Sequence, residues 1–299
     1  MATSSPQDPD RSDGLNTLLG LLDVEQLDAL FFRGQSEDAG SVRVFGGHVI
    51  GQSVAAALRT VPEERHLHSM HAYFLRPGKP VQPIIYHVDP IRDGGSFTTR
   101  RVVAYQNGEA IFHTSLSFHR WQDGPHHEMP APDVGKGPDE LTNFEDYWEA
   151  MRAQHPDKIP SRSSRPSAID VRPVYMKNPM APETLPAENW VWMKTKGKVE
   201  SDDNATHQKL FAYMSDMQLL GTSMQPHALS FLDPNLQIAS LDHGIWFHDE
   251  FRVDDWILLH MDSPTAGHAR GFNRATVWDA SGRLVASTVQ EGLVRPKTR

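Results

Sequence analysis

The amino-acid sequence predicts an α+β protein made of two similar units in tandem, each a long buried helix wrapped by a curved antiparallel β-sheet. The first observation behind this prediction is a faint internal repeat. His71–Arg76 and the later turn Asn107-Gly108 resemble His243–His248 and the later turn Ser281-Gly282. A repeat of this length is too long for a solenoid unit, so it indicates two fused domains. The other two observations are an uncharged helix and a series of strands joined by turn signals.

The first unit opens with helical spacing of leucines over Leu15–Leu30, followed by a strand, a turn and a strand over Phe31–Val44. The turn Phe45–His48 then leads into the predicted helix Val49–Leu58, which contains three consecutive alanines and no charged residue. A helix without a polar face is a buried helix. A short helix in a small domain is buried on all sides only where a sheet wraps around it.

Four strands follow this helix in the first unit. The last two flank Asn107-Gly108, and this dipeptide between two β-rich runs is the strongest short signal for a hairpin. The predicted strands are His68–Leu75, Val81–Val88, Ser96–Tyr105 and Glu109–Trp121.

A proline-rich segment separates the two units. Gln122–Asn143 has the composition of a linker, Phe144–Ala153 is predicted as a helix, and Pro156–Pro173 is irregular. The second unit contains the predicted strand Ala187–Lys198 and the apolar segment Gln208–Ser223, in which Tyr213–Asp216 resembles the entry to the first helix. Its further predicted strands are Gln237–Phe247, Trp256–Ser263, Ala269–Trp278 and Leu284–Leu293. We therefore expect a disordered lead-in over residues 1–14, a first domain over 15–122, a linker over 123–165 and a second domain, with the active site, over 166–299.

Composition excludes several classes of function. The chain of 299 residues carries a net charge of −9, which argues against a nucleic-acid binder. No apolar run approaches the ~18 residues of a membrane span. Without cysteine there is no thiolate catalysis and no cysteine-ligated metal. The N-terminus lacks a secretory signal pattern and the C-terminus lacks a Ser-Lys-Leu peroxisomal signal, so we expect a cytoplasmic protein.

Comparison of the two copies finds an aspartate, a serine and a glutamine in the second copy where the first copy has two histidines and a leucine. The informative pairs are His48 with Asp216, His68 with Ser240, and Leu116 with Gln290. We expect Asp216 at the start of a buried helix, where the N-terminal field favours its ionised form. A carboxylate, a hydroxyl and an amide can together orient one water molecule. This combination suits hydrolysis of an activated acyl group without a cysteine or a metal.

Other interpretations of these residues remain open at this stage. Asp216 after Ser215 also has the pattern of a helix N-cap, and Ser240 could be a strand hydroxyl with no chemical role. His66, His68 and His71 resemble a metal site. However, strand alternation places the first two on one face and the third on the other, with no carboxylate to complete the set. We therefore predict no metal.

Several motifs of the chain resemble the type II acyl-CoA thioesterases, which have a tandem (double) hotdog fold. The resemblance covers nearly the whole ordered chain, and its combined motifs are far more specific than any one of them. It implies a catalytic Asp, a Ser or Thr, and a Gln, which correspond to Asp216, Ser240 and Gln290. The motifs are Val44–Gln52, Leu67–Gly78, Ala239–His248 and Ala286–Gly292.

The resemblance also implies a reaction, a ligand and an assembly. The reaction is hydrolysis of fatty acyl-CoA to a free fatty acid and CoA, in which the three residues orient an attacking water and no cofactor takes part. The expected assembly is a homo-oligomer, a dimer or larger. The family often has glutamine where this chain has His48. Candidate contacts for the CoA phosphates are Arg76, Lys79, Arg270 and Arg274.

Two alternative functions stay open. A hotdog hydratase or dehydratase acting on acyl-CoA would use a histidine with an aspartate. His48 and His71 are the histidines that could take this role. A non-catalytic acyl-CoA binding protein would bind the ligand without turnover.

Overall fold

The computed structural model describes residues 9–37, 42–159 and 167–297. The helices in these ranges are α1 Pro9–Leu22, α2 Gly46–Leu58, α3 Phe144–Gln154 and α4 Asn204–Met214, with short 3₁₀ helices at Pro138–Glu140 and Leu220–His227. The strands are β1 Glu25–Asp28, β2 Phe31–Gly34, β3 His66–Phe74, β4 Ile84–Asp93, β5 Phe97–Gln106, β6 Glu109–His119, β7 Ile169–Pro173, β8 Glu188–Thr195, β9 Leu236–Ser240, β10 Asp242–Phe247, β11 Ile257–Gly267, β12 Arg270–Asp279 and β13 Leu284–Pro296. No helix of the described ranges is long and apolar enough to cross a membrane.

The strands form one antiparallel sheet. Each half of the chain has the same strand order when it is followed from the outer edge of the sheet to the junction between the halves. The path is β1-β2-β4-β5-β6-β3 in the first half and β10-β13-β12-β11-β8-β7 in the second, with β9 paired to β13. The halves join where β3 pairs with β10, in the register His71 opposite Gly244. The mirrored order accounts for the internal repeat that the sequence shows.

The helices α2 and α4 pack against each other in the interior. Eleven of the thirteen residues of α2 are buried, as its lack of charge predicts. A buried polar side chain in the middle of this helix, Gln52, is satisfied by the Tyr86 hydroxyl and by the carbonyls of Leu21 and Gln35. Such partners remove most of the free-energy cost of burying an amide.

The hairpin between β5 and β6 forms as predicted. Asn107 and Gly108 both have positive φ, 51° and 80°, which is the backbone of the tight turn that an Asn-Gly pair favours. The predicted helix Phe144–Ala153 is also present, as α3.

Several expectations about element boundaries are wrong. The helix expected to begin after Tyr213–Asp216 does not form, because α4 ends at Met214 and the chain resumes as the 3₁₀ helix Leu220–His227. The predicted strand Gln237–Phe247 is two strands, which separate at Leu241, where the register against β13 shifts by one residue. Helix α1 begins at Pro9, inside the segment expected to be disordered, whereas residues 1–8 lie outside the described residues.

Candidate active site

Asp216 does not lie at the start of a helix of its own half, contrary to the sequence prediction. It follows the last residue of α4 by two positions, in the break before the 3₁₀ helix. The correspondence drawn between His48 and Asp216 is therefore wrong. The carboxylate is still at a helix N-terminus, but of α2 in the other half, because its Oδ2 accepts from the Gly47 N–H at 2.9 Å.

The structure brings Asp216, Ser240 and Gln290 into one hydrogen-bonded cluster. The Gln290 Nε2 donates to Asp216 Oδ1 at 2.5 Å and to the Ser240 Oγ at 3.1 Å. The Ser240 hydroxyl lies 3.5 Å from the same Asp216 oxygen, to which it donates. Ser240 ends β9 and Gln290 lies in β13, so three separate elements supply the cluster.

Two glycines allow the carboxylate to approach α2 so closely. A Cβ added at Gly46 would lie 2.5 Å from Asp216 Oδ2, and one added at Gly47 would lie 2.2 Å from the Tyr213 carbonyl oxygen. Since α4 ends next to Tyr213, only glycine at these positions lets the two halves meet at this distance. The N–H groups of the first helical turn have no partner within their own helix, which suits this end of α2 to a negative charge.

The environment of Asp216 favours the neutral form of its carboxyl group more strongly than bulk water does. Burial raises the pKa of Asp216 from 3.8 to about 6, while the hydrogen bonds from Gln290, Gly47 and Ser240 lower it. A carboxylate with a pKa near 6 is ionised at pH 7 and is more basic than an exposed aspartate. These are the properties of an efficient general base.

A buried histidine holds the end of α4 beside the cluster. The Ser215 hydroxyl donates to the Ala212 carbonyl at 3.0 Å and lies 2.9 Å from the His243 Nε2. Burial lowers the pKa of His243 to about 3, so its ring is neutral at pH 7 and donates to the hydroxyl through Nε2. This pair fixes the residue before Asp216 and thereby limits the motion of the carboxylate.

Asn273 connects the cluster to the 3₁₀ helix. This fully buried side chain accepts from the Ser223 N–H at 2.9 Å and donates to the Gln290 carbonyl at 3.3 Å. Asn273 lies directly opposite Gln290 on β12. It therefore sets the position of Gln290 relative to the segment that carries Asp216.

We expect Asn273→Ala to lower the free energy of unfolding by about 1–3 kcal/mol, because it leaves the buried Ser223 N–H without an acceptor. Urea denaturation followed by circular dichroism measures this loss. Asn235→Ala is the matched control, since Asn235 is exposed and the change should stay within about 0.5 kcal/mol. Equal midpoints for the two variants would contradict the role assigned to Asn273.

The four basic residues predicted to contact CoA do not form one cluster. Arg270 pairs with Glu291 and Arg274 with Asp262. Both alternate along β12 with the buried Asn273, so they lie on the opposite face of the sheet from Gln290. Arg76 bonds to the Ala110 carbonyl, and Lys79 is exposed with no ion-pair partner among the described residues.

The two histidines that a hydratase could use, His48 and His71, have partners other than the Asp216 carboxylate. The buried His48 ring bonds to the Gln35 carbonyl at 2.9 Å, and His71 packs edge-on against Trp246. No group of three histidine, aspartate or glutamate side chains in the described ranges is arranged to hold a metal ion. Sequence reasoning missed Gly47 as a site residue, although the Gly46-Gly47 pair at a helix start was a usable signal for close backbone approach.

Comparison with known proteins agrees with this architecture. Residues 162–293 match the acyl-CoA thioesterase family, and residues 35–119 match an acyl-CoA thioesterase N-terminal domain. The chain is 38% identical to acyl-CoA thioesterase 2 of Haemophilus influenzae over 95% of its own length and 99% of that protein. The chain belongs to the acyl-CoA thioesterase family. This thioesterase is also 37% identical to acyl-coenzyme A thioesterase 8 of Rattus norvegicus, with 98% and 94% of the two chains covered.

Solved structures show the same fold. An acyl-CoA thioesterase II from Mycobacterium marinum superposes with a TM-score of 0.76 at 35% identity, covering 94% of this thioesterase and 99% of that chain. A hot dog fold protein from Alicyclobacillus acidocaldarius has a TM-score of 0.73 at 18% identity, with 94% and 99% covered, and shows the fold alone. The thioesterase thus has the tandem hotdog fold that its sequence predicts, and it is a thioester hydrolase.

Proposed function

We propose that this chain hydrolyses fatty acyl-CoA by direct attack of a water molecule held by Asp216, Ser240 and Gln290. The observation that carries the proposal is the convergence of the hydroxyl and the amide on one Asp216 oxygen, at the N-terminus of α2. A carboxylate with an amide and a hydroxyl beside it offers a water both an acceptor and groups that fix its orientation. Family membership supports a thioester of CoA as the substrate.

The proposed reaction needs no covalent enzyme intermediate. Water attacks the thioester carbonyl carbon while Asp216 takes its proton, and the positive end of the α2 dipole stabilises the oxyanion. Collapse of this intermediate breaks the C–S bond, and the CoA thiolate receives the proton from Asp216. The products are a free fatty acid and CoA. A Ser240 acyl-enzyme is disfavoured because no histidine contacts its hydroxyl among the described residues.

Arg76 and Lys79 are the candidates that we retain for the CoA phosphates. Both are exposed at the end of β3, in the segment where Gly78 bonds to Val44 just before α2. We propose that the substrate enters along this side, with residues 15–122 and 166–299 as the two domains that enclose it.

The competing functions are separated by one assay. Release of free thiol from a series of acyl-CoA chain lengths indicates hydrolysis, whereas a hydratase releases none and a binding protein shows affinity without turnover. The hydratase reading is disfavoured because neither His48 nor His71 contacts Asp216.

We expect kcat/KM to rise with pH through about 6 and then level off, because Asp216 must be ionised to act as the base and its pKa is raised to about 6. Replacing Gln290 with leucine removes a hydrogen bond that lowers this pKa, so the inflection should move to higher pH. Rates of thiol release between pH 4 and pH 9 give both inflections. An inflection near 4 in the wild-type protein, or one unmoved in Gln290→Leu, would contradict the assignment.

A further inference from the structure

A cavity of about 210 Å³ lies beside the 3₁₀ helix Leu220–His227, and none of the three side chains of the hydrogen-bonded cluster lines it. Its apolar walls come from α3, from the 3₁₀ helix and from the loop that follows it. They are formed by Phe144, Trp148, Met224, Leu229 and Phe231. A water molecule occupies about 30 Å³ in the liquid, and a methylene group is of similar size. The cavity therefore has room for about seven methylene groups.

One end of this cavity is polar. Lys177 and Asn189 line it and also line an adjoining depression of about 290 Å³, which the five apolar residues do not reach. The cavity is therefore amphipathic, with a cation and an amide at one end and aromatic rings along the rest. Gln225 also lies at this end, but its amide is already bonded to the Glu188 and Thr222 carbonyls.

The two polar side chains are withdrawn from solvent to different degrees. Asn189 is 4% exposed and Lys177 is partly buried, and both line the cavity and the adjoining depression. Lys177 makes no ion pair in the described ranges, although the carboxylates of Glu183 and Glu188 line the two cavities. Burial lowers the pKa of Lys177 to about 8, so the ammonium is still mostly charged at pH 7. A partly buried cation without a counter-charge is costly, so an anionic group bound beside Lys177 would be stabilised.

We propose that this cavity binds a carboxylate on a medium-length alkyl chain, the chemistry of a free fatty acid, with the headgroup on Lys177 and Asn189. The ammonium supplies the counter-charge, the Asn189 amide donates the second hydrogen bond, and the aromatic walls cover a chain of about seven carbons. Such an acid is chemically a product of acyl-CoA hydrolysis. None of Asp216, Ser240 and Gln290 lines this site, although Gln218, two residues after Asp216, does.

Isothermal titration of the full chain with octanoate tests this site. We expect saturable binding to the wild-type protein, and binding at least about tenfold weaker in Lys177→Met, because a hydrogen bond to a charged group is lost. Asn189→Leu should also weaken binding, since it removes the amide proposed to donate the second hydrogen bond. Lys158→Met is the matched control, an exposed lysine outside the cavity that removes the same charge.

The other outcomes overturn the site. Equal octanoate affinity in the wild-type protein and Lys177→Met would mean that the acid binds elsewhere, and displacement of octanoate by CoA would assign the cavity to the substrate. If octanol bound as tightly as octanoate, the Lys177 ammonium would have no role in binding. Because octanoate binding requires no turnover, failure here leaves the proposed hydrolysis standing, and loss of hydrolysis leaves this site standing.

Discussion

Replacing Asp216 with asparagine is expected to lower kcat for acyl-CoA hydrolysis by about 10²–10⁴-fold, the usual contribution of a positioned general base. Asparagine keeps the shape of the side chain and still accepts from the Gly47 N–H, but it cannot take a proton from water. Thiol release from the same acyl-CoA measures the loss. Asp89→Asn on β4, which disturbs an ion pair with Arg101 on β5, is the control and should keep its activity.

The same substitution should stabilise the fold at neutral pH. Because the folded-state pKa of Asp216 is raised, the folded protein binds a proton more tightly than the unfolded chain between about pH 4 and pH 6. Stability is therefore lost as the pH rises through this window. The shift corresponds to about 3 kcal/mol, which partial exposure reduces to about 1–2 kcal/mol.

Denaturation of both proteins at pH 7 measures this gain. A variant that hydrolyses acyl-CoA within tenfold of the wild-type rate would overturn the role of Asp216. A variant that loses both activity and stability would instead show that the carboxylate mainly holds the two halves together.

Replacing Gly47 with alanine is expected to lower the free energy of unfolding by about 3 kcal/mol or more, the upper end for overpacking. The added Cβ would meet the Tyr213 carbonyl oxygen at 2.2 Å, and a backbone atom cannot move aside as a flexible side chain can. Separation of α2 from the end of α4 would also draw the Gly47 N–H away from Asp216, so activity should fall as well. Chemical denaturation and thiol release measure the two losses.

Two further glycines provide controls of different kinds. Gly20→Ala in α1 meets no atom within 4 Å and should stabilise by about 0.5–1 kcal/mol, because alanine favours a helix. Gly46→Ala would press on the Asp216 oxygen at 2.5 Å and on the ring of Phe74, both side chains. Its activity should therefore fall more than its stability. A Gly47→Ala protein as stable as Gly20→Ala would contradict the close packing described here.

Much of the fold could be predicted from local patterns. The uncharged helix α2 and the Asn107-Gly108 turn depend on short-range chemistry, and the structure has both. The break after Met214 was missed because it contains neither glycine nor proline before Leu220, and Gln218 itself adopts a φ of 67°. Tertiary packing imposes this left-handed conformation on Gln218, and a local sequence pattern does not predict it.

The residues of the candidate site could be predicted from the sequence, but their arrangement in space could not. The family resemblance gave Asp216, Ser240 and Gln290, and the structure brings these side chains together. The helix that faces the carboxylate could not be assigned, because a helix N-terminus 169 residues away in sequence supplies the N–H. Likewise, no spacing rule places Arg270 and Arg274 on the outer face of the sheet until the register of β12 is known.

The bond from Gly47 to Asp216 joins the two halves of one polypeptide. If those halves were separate chains, the fraction of complete sites would follow mass action and fall on dilution. A covalent connection makes their encounter intramolecular, at an effective concentration that does not depend on how much protein is present. Formation of the contact between Gly47 and Asp216 is then independent of protein concentration, whereas the same contact between two separate subunits would be lost on dilution.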